Sequence, residues 1–519
     1  SGGNAVDAAV AAGFALAVTF IDAGNIGGGG FMTIKIDQEV AFLDYREKAP
    51  LTAHKNMYLN DQGDVIDNIT LIGGQAAGVP GTVAGFWEAH QRFGQLPWKD
   101  LIQPAIELAD KGFMPAPILV ESILSMEQRF EGKTNFNDYF NSISSDSLFR
   151  QPELANTLRR IAEFGADDFY RGETAALIVQ QMEKSNGLIS LEDLDAYAAV
   201  WRAPVRAGWR DYEIISAPPP SSGGFAIVQL LKMKDYLSEL FEGVEHNSAQ
   251  YIHLVAEMEK RVFADRAEYL GDPDFFDIDI DALIDDDYLA RRAAEVNPKA
   301  ISVLDSVNPG LESPNTTHYS IVDQWGNAVS NTYTINWDYG SGVVVGGAGF
   351  LLNNEMDDFS AKPGTPNIYG VVGSVANEIQ PGKRMLSSMS PTIVLKGGEV
   401  EMVLGTPGGS TIFTTVFQVI TNIVHFGMSV EEAIGIARFH HQLVPPDLIT
   451  YSGFTIDQHL PKVTVGDLSE KGYRSEPHSF EYGDVQIIVR SGDSWIAASD
   501  PRDRGQSRVF EVTTKTRDR

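Results

Sequence analysis

Helix-period and strand-period segments fall in separate blocks along this chain, and that ordering restricts the folds open to it. Up to about residue 300, apolar residues recur at three- and four-residue spacing. Gly81–Gly94, Trp98–Gly112, Pro152–Gly165 and Asn247–Leu270 follow this rule, with Gly or Pro at many ends, and are predicted helices. Ser190-Leu191-Glu192-Asp193 reads as a capping box opening a short helix. Ala5–Phe20 is apolar but carries Asp7 and small residues, which predicts a buried helix. No run reaches the roughly 18 apolar residues that a bilayer span requires. Phe31–Ile36 and Val40–Asp44 interrupt this block as a hairpin across Asp37-Gln38. After about residue 315 strands dominate: Thr317–Val322, Ala328–Ile335, Thr392–Leu395, Glu401–Leu404 and Val485–Val489. Two helices are predicted among them, Thr411–Phe426 and Val430–Phe439. Separated blocks predict layered α+β packing, not a doubly wound parallel sheet.

Composition narrows the function. The formal net charge of -30 disfavours nucleic acid and anionic membrane surfaces, because phosphates would be repelled. With no cysteine in 519 residues, disulfides, thiolate nucleophiles and Cys-ligated zinc are excluded. The acidic stretch Asp272–Asp287 lacks the Gly and terminal Glu of an EF-hand loop and reads as solvated surface. Gly24–Gly30 follows a helix and precedes a strand, the wrong order for a dinucleotide loop. His440-His441 lacks partners at zinc spacing and reads as structural. No metal or cofactor is expected. Residue 1 lies almost inside a helical pattern, so the true start is expected upstream.

The chemistry-bearing motif begins at Asn315-Thr316-Thr317-His318. Gln324-Trp325-Gly326-Asn327 is a hairpin turn, and the return strand runs Ala328–Asn336. Folding about Trp325 places Thr334 opposite Thr316 or one step away, so two hydroxyls meet at a strand's beginning. A Thr-rich hairpin with no chemistry explains the same pattern, since Thr favours strands. Further on, Glu355 and Asp358 stand three residues apart; on one helical turn they share a face and can hold an ammonium. Ser387-Ser388, before Pro391, can cap a turn or hold a carboxylate. Gly405-Thr406-Pro407-Gly408-Gly409-Ser410 precedes an apolar helix, where backbone N–H groups can stabilise an oxyanion.

Together these segments resemble the gamma-glutamyltransferase (glutathione hydrolase) family across nearly the whole chain. The resemblance is carried by Gly2-Gly3-Asn4-Ala5-Val6-Asp7-Ala8-Ala9, the Gly27–Gly30 run and Asp44-Tyr45-Arg46-Glu47-Lys48-Ala49-Pro50. It continues in Pro219-Pro220-Ser221-Ser222-Gly223-Gly224, Asp265-Arg266-Ala267-Glu268-Tyr269, the segments above and Ala498-Ser499-Asp500-Pro501-Arg502. It implies a four-layer αββα N-terminal nucleophile hydrolase fold and a precursor that cuts itself between Asn315 and Thr316. The products would be a large subunit, 1–315, and a small catalytic subunit, 316–519, which pair with each other. Many relatives carry another residue where this chain has Asn315, which bears on how efficiently it is cut.

The resemblance also assigns roles. Thr316 matches the nucleophile and Thr334 the threonine hydrogen-bonded to it. Arg46, Ser387 and Ser388 match the groups holding the α-carboxylate of a γ-glutamyl donor. Asn336, Glu355 and Asp358 match those holding its ammonium. Gly408 and Gly409 match the oxyanion donors. Tyr369 matches the tip of a lid, Pro363–Ser374. Glutathione and other γ-glutamyl compounds are the implied donors, and water, amino acids or peptides the acceptors. A periplasmic or secreted location is implied as well. Three other readings fit less of the pattern: a cephalosporin or glutaryl acylase, a poly-γ-glutamate hydrolase, and an uncleaved binding protein.

Overall fold

The computed structural model describes residues 2–302, 316–362, 375–452, 459–478, 483–502 and 505–511. Two antiparallel sheets stack at the centre. The first has the strand order Val200–Arg202, Glu39–Tyr45, Gly29–Ile36, Ala328–Thr334, Thr317–Val322. The second has the order Ser494–Ser499, Gln486–Ser491, Glu399–Gly405, Thr392–Lys396, Tyr212–Ser216, Val205–Trp209. Every ladder within these two sheets is antiparallel.

Alternation of side chains explains the layering, because successive residues of a strand face opposite sides. Phe31 and Phe42 of the first sheet meet Ala217, Met389 and Ile412 between the sheets. Their neighbours Met32, Ile34, Leu43 and Tyr45 face the other way, into a helical layer. In the second sheet Ile215, Ile393 and Val403 face inward with Ala328 of the first, while Ile214, Val394, Met402 and Leu404 face a second helical layer. The layer over the first sheet contains Ala5–Thr19, Thr82–Phe93, Trp98–Lys111 and Pro152–Phe164. The layer over the second contains Gly223–Tyr236, Ala249–Tyr269 and Thr411–Val424. The architecture is therefore αββα.

The predicted helices are present, with boundaries moved by a few residues. Asp7 explains why the apolar first helix carries a charge: its carboxylate accepts from the Asn4 N–H at 2.9 Å and completes a capping box. Ser190 and Asp193 form the second capping box. Two expectations fail. Val430–Phe439 is not one helix; the helix ends at Gly435, and Arg438–His440 is a strand paired with Leu448–Ser452. There Arg438 is fully buried against Asp500, an ion pair at 2.8 Å that outweighs the helical spacing of its neighbours. Nor is Asp272–Asp287 uniformly solvated: Asp272 is buried and accepts from the Arg384 N–H at 2.7 Å, and Asp274 pairs with Arg202 at 2.8 Å.

Both sheets draw strands from either side of residue 315, so 1–315 and 316–519 are not separate folding units. The first helical layer is keyed to this shared sheet by Phe86. Its ring lies 5.3 Å from Phe14, 5.9 Å from Tyr45 and 5.9 Å from Tyr333, which come from three elements. Phe86→Ala is expected to cost about 3–5 kcal/mol of unfolding free energy, the usual range for emptying a buried aromatic site. Denaturant titration measures it, and a loss near zero would show that the helical layer is not held there.

Candidate active site

The register of the first sheet brings three of the sequence-predicted residues into one row. Thr317 pairs with Tyr333, which puts Thr316 opposite Thr334 in continuation of the ladder. Thr334 pairs with Gly29, and Gly30 with Tyr45, which puts Arg46 opposite Gly29. Arg46, Gly29, Thr334 and Thr316 thus stand side by side on four adjacent strands. At about 4.8 Å per strand, some 14 Å of backbone separates the first from the last. The glycine run lets the backbones come this close. A Cβ on Gly28 would lie 2.0 Å from the Thr334 carbonyl oxygen, and one on Gly29 would lie 2.6 Å from a Glu47 carboxylate oxygen.

At one end of the row, the Thr316 hydroxyl lies 3.5 Å from Thr334 Oγ1, the outer limit of a hydrogen bond. Thr334 Oγ1 also accepts from the Asn336 N–H at 2.8 Å. Asn336 adopts φ = +75°, rare for a residue with a side chain, and its Nδ2 donates to the Asn354 carbonyl at 3.0 Å. Two asparagines missed in the sequence tie this turn to the acidic one. Asn353 Nδ2 donates to the Gly27 and Gly78 carbonyls, and its Oδ1 accepts from the Glu355 N–H at 3.0 Å. Asn354 Oδ1 accepts from the Trp337 N–H at 3.1 Å.

At the other end, Arg46 is buried with only 1% of its side chain exposed. Its guanidinium meets Glu355 at 2.7 Å, Glu47 at 3.5 Å, and Asp358 in a short contact. Glu355–Asp358 is a single 3₁₀ turn, in which residues three apart eclipse, so both carboxylates reach the same cation. The expected shared face is therefore present. Burial raises the Glu355 and Asp358 carboxyls above their ordinary values, against the pull of Arg46. Burial likewise pushes Glu47 up to about 8. Burial alone would weaken the Arg46 charge, but Glu355, Asp358 and Glu47 more than restore it, so it stays protonated. One guanidinium thus faces three carboxyls that cannot all ionise comfortably. Glu47 was not singled out in the sequence, although it adjoins Arg46 in the same motif.

Ser387 and Ser388 are buried in an extended segment paired with Ser221. Ser387 Oγ accepts from the Met389 N–H at 3.1 Å, and Ser388 Oγ from Arg266 Nη2 at 3.2 Å. Gly408 and Gly409 sit immediately before the helix Thr411–Val424, at φ = +136° and +55°. Their loop leaves the strand Glu399–Gly405 beside the strand Thr317–Val322, since a Cβ on Gly405 would lie 2.3 Å from the His318 ring. Buried His318 is driven down to about 3 and is neutral; its Nδ1 lies 2.8 Å from Thr332 Oγ1. His440 and His441 are equally neutral, with protein partners in Thr414 and the Pro446 carbonyl. Asn315 and Tyr369 lie outside the described residues.

A hydroxyl residue opening the edge strand of an αββα sandwich, with a Gly-Gly helix start nearby, places the chain in the N-terminal nucleophile hydrolase fold class. Comparison with known proteins then narrows the class. The chain belongs to the gamma-glutamyltranspeptidase family, whose profile matches residues 1–510. It is 57% identical to a glutathione hydrolase proenzyme of Pseudomonas aeruginosa over 98% of this chain and 91% of that one. It is 43% identical to the Escherichia coli glutathione hydrolase proenzyme over 96% and 87%. Among solved structures, a gamma-glutamyltranspeptidase from Pseudomonas nitroreducens complexed with L-DON is 56% identical (TM-score 0.57). That match covers 58% of this chain and 90% of the solved one. A cephalosporin acylase from Bacillus halodurans shares the fold at TM-score 0.84 and 24% identity, covering 98% and 92%.

The raised Glu47 carboxyl has a consequence for stability. Its folded-state pKa, about 8, lies above the ordinary 4.5, so the group favours folding at low pH and loses that contribution as pH rises toward 8. Glu47→Gln removes the titration. The parent is therefore expected to lose stability relative to the variant, by on the order of a few kcal/mol, between about pH 5 and pH 8. Histidines common to both cancel in the difference. Chemical unfolding of both proteins across this range measures the gap, and a constant gap would contradict the assignment.

Proposed function

We propose that this protein is a self-cleaving gamma-glutamyltransferase and glutathione hydrolase, with Thr316 as nucleophile and the Arg46 cluster as the donor's anchor. The observation that carries the reading is the row across the sheet. It sets a hydroxyl at one end and a buried Arg–carboxylate cluster at the other, separated by a span that an arginine side chain and a glutamyl chain would fill. The relatives' description as proenzymes supports the cut before Thr316. So does the Pseudomonas nitroreducens match, a separate chain covering 58% of this one, about the size of residues 1–315.

Cleavage gives Thr316 a free α-amine with a reference pKa of about 7.7–8.0, so the neutral fraction that can take a proton rises from roughly a tenth at pH 7 to about half or more at pH 8. The amine takes the hydroxyl proton as the oxygen attacks the γ-carbonyl carbon. The oxyanion is met by the Gly408 and Gly409 N–H groups; such a donor is typically worth roughly 2.7–4 kcal/mol of barrier. The tetrahedral adduct collapses, the C–N bond breaks, and the proton leaves with the amine product. Water, an amino acid or a peptide then takes the acyl group from Thr316. Arg46 forks onto the donor's α-carboxylate with Ser387 and Ser388, while Asn336, Glu355 and Asp358 take the ammonium. Acylase substrates without an α-amine would leave those carboxyls unmatched, and the acylase likeness is one of fold. Tyr369 is assigned to the lid and Asn315 to the cleavage site on the family pattern. Location in the periplasm or outside the cell rests on the family resemblance alone; no described helix is long and apolar enough to cross a membrane.

Thr316→Ala is expected to give one uncut, inactive chain, while the parent gives two bands on a denaturing gel and one species under native conditions. N-terminal sequencing of the smaller band should start at Thr316; another start would move the nucleophile. Arg46→Ala should raise KM for γ-glutamyl donors by about a hundredfold or more, because breaking a buried pair typically costs roughly 3–5 kcal/mol. Steady-state kinetics with a γ-glutamyl anilide decide this, and an unchanged KM would remove Arg46 from the donor site.

A further inference from the structure

Behind Ser387 and Ser388 lies a second buried arginine. Arg266 sits in the last turn of Ala249–Tyr269 and is 5% exposed. Its Nη2 donates to Ser388 Oγ at 3.2 Å, and its Nε donates to Ser222 Oγ at 3.1 Å. Ser222 Oγ in turn donates to the Ser387 carbonyl at 3.0 Å, and its N–H to the same oxygen at 2.8 Å. One guanidinium therefore grips both serines, Ser388 directly and Ser387 through Ser222. The helix end that carries it is pinned by the preceding residue. Asp265 accepts from Gln229 at 3.1 Å, Tyr288 at 2.8 Å and Arg292 at 2.7 Å.

Hydroxyl bookkeeping gives this grip a direction. A serine hydroxyl has one proton and two lone pairs. Ser388 Oγ accepts from Arg266, and Ser387 Oγ accepts from the Met389 N–H. Among the described residues, neither serine's O–H is given to an acceptor. With their oxygens engaged from behind, both hydroxyls are set to act as donors, the role a bound carboxylate requires. A charged donor behind the hydroxyl also polarises the O–H, strengthening the bond it makes in front. The positive charge also acts on Asp358, offsetting a small part of the rise that burial imposes on that carboxyl.

We infer that Arg266 is a positioning residue for the donor's α-carboxylate, orienting and polarising the Ser388 hydroxyl and, through Ser222, fixing the Ser387 backbone, without touching substrate. This rests on the assignment of that pair to the carboxylate. The prediction is selective. Arg266→Gln should raise KM for a γ-glutamyl anilide by about tenfold while kcat changes less, and leave kcat/KM nearly unchanged for the 4-aminobutanoyl anilide, which lacks the α-carboxylate. In a Ser388→Ala background most of the Arg266→Gln effect should vanish, because the two act in series. Ser222→Ala, which cuts only the arm to Ser387, should give a smaller KM rise confined to the same donor. It serves as the test if Arg266→Gln does not fold. Arg266→Lys keeps the charge but not the two-armed geometry and should recover part of the loss.

Equal losses on both anilides, or additive effects with Ser388→Ala, would reduce Arg266 to a structural residue and overturn the inference. An unchanged KM in Ser222→Ala counts against it as well. If Ser388→Ala alone leaves the γ-glutamyl KM unaltered, the assignment of the serines fails first, and the inference falls with it. If Ser388→Ala raises KM but Arg266→Gln does not, only the inference fails.

Discussion

The ladder between Gly29–Ile36 and Ala328–Thr334 is the interaction on which the rest depends. It joins the segments before and after residue 315 inside one sheet. It also fixes register, and a slip of one residue would turn Thr334 and its alternating neighbours to the wrong face. With the register set, the position of Arg46 relative to Thr316 follows from strand spacing alone. The glycines at 27–30 are therefore explained by backbone proximity. Gly28 leaves no room for a Cβ beneath the Thr334 carbonyl, and Gly30 none beneath Thr332.

The same sheet edge buries charge, which sets the chemical character of the pocket. Arg46 sits among Glu47, Glu355 and Asp358, and a second group of charges lies close by. Asp44 accepts from the Arg46 N–H at 2.9 Å and pairs with Arg202 at 2.6 Å and Arg384 at 3.3 Å. A buried cluster of this kind is weak evidence for stability, because desolvation offsets most of the Coulomb gain. Its better explanation is recognition. On the proposed function, carboxyls raised by burial beside a permanently charged guanidinium would face a ligand bearing both an ammonium and a carboxylate.

Much of this was legible in the sequence. The hairpin about Trp325 could be counted residue by residue, so the facing of Thr316 and Thr334 followed from turn chemistry. The spacing of Glu355 and Asp358 fixed a common face, though on a 3₁₀ turn instead of an α-helix. What escaped detection depends on contacts between distant segments. Arg438–His440 reads as a continuation of a helix until Asp500 is brought beside it. The short strands Val205–Trp209 and Tyr212–Ser216 lie within a helix-rich block, and Thr392–Lys396, the partner of Tyr212–Ser216, lies far along the chain. Asn353 and Asn354 look like loop residues, and only the fold shows that their amides bind Gly27, Gly78 and Leu71. Arg266 belongs to the same group: nothing local links it to Ser388.

The placement of Thr316 bears on how a chain cut at this point would keep its shape. Among the described residues Thr317–Val322 is an edge strand of its sheet, and its ladder bonds run to Ala328–Thr334 on one side only. Its two faces carry contacts of another kind: Tyr319 donates to the Ala9 carbonyl at 2.9 Å, and Ser320 to the Gln486 carbonyl at 3.0 Å. A break just before this strand removes a covalent link but no ladder bond among the described residues. The two pieces would remain interleaved in both sheets, with Gly29–Ile36 still paired to Ala328–Thr334. Separating them would mean unpairing strands across a buried core, so the proposed cut at 315–316 would free an amine on the proposed nucleophile and leave the sandwich around it closed.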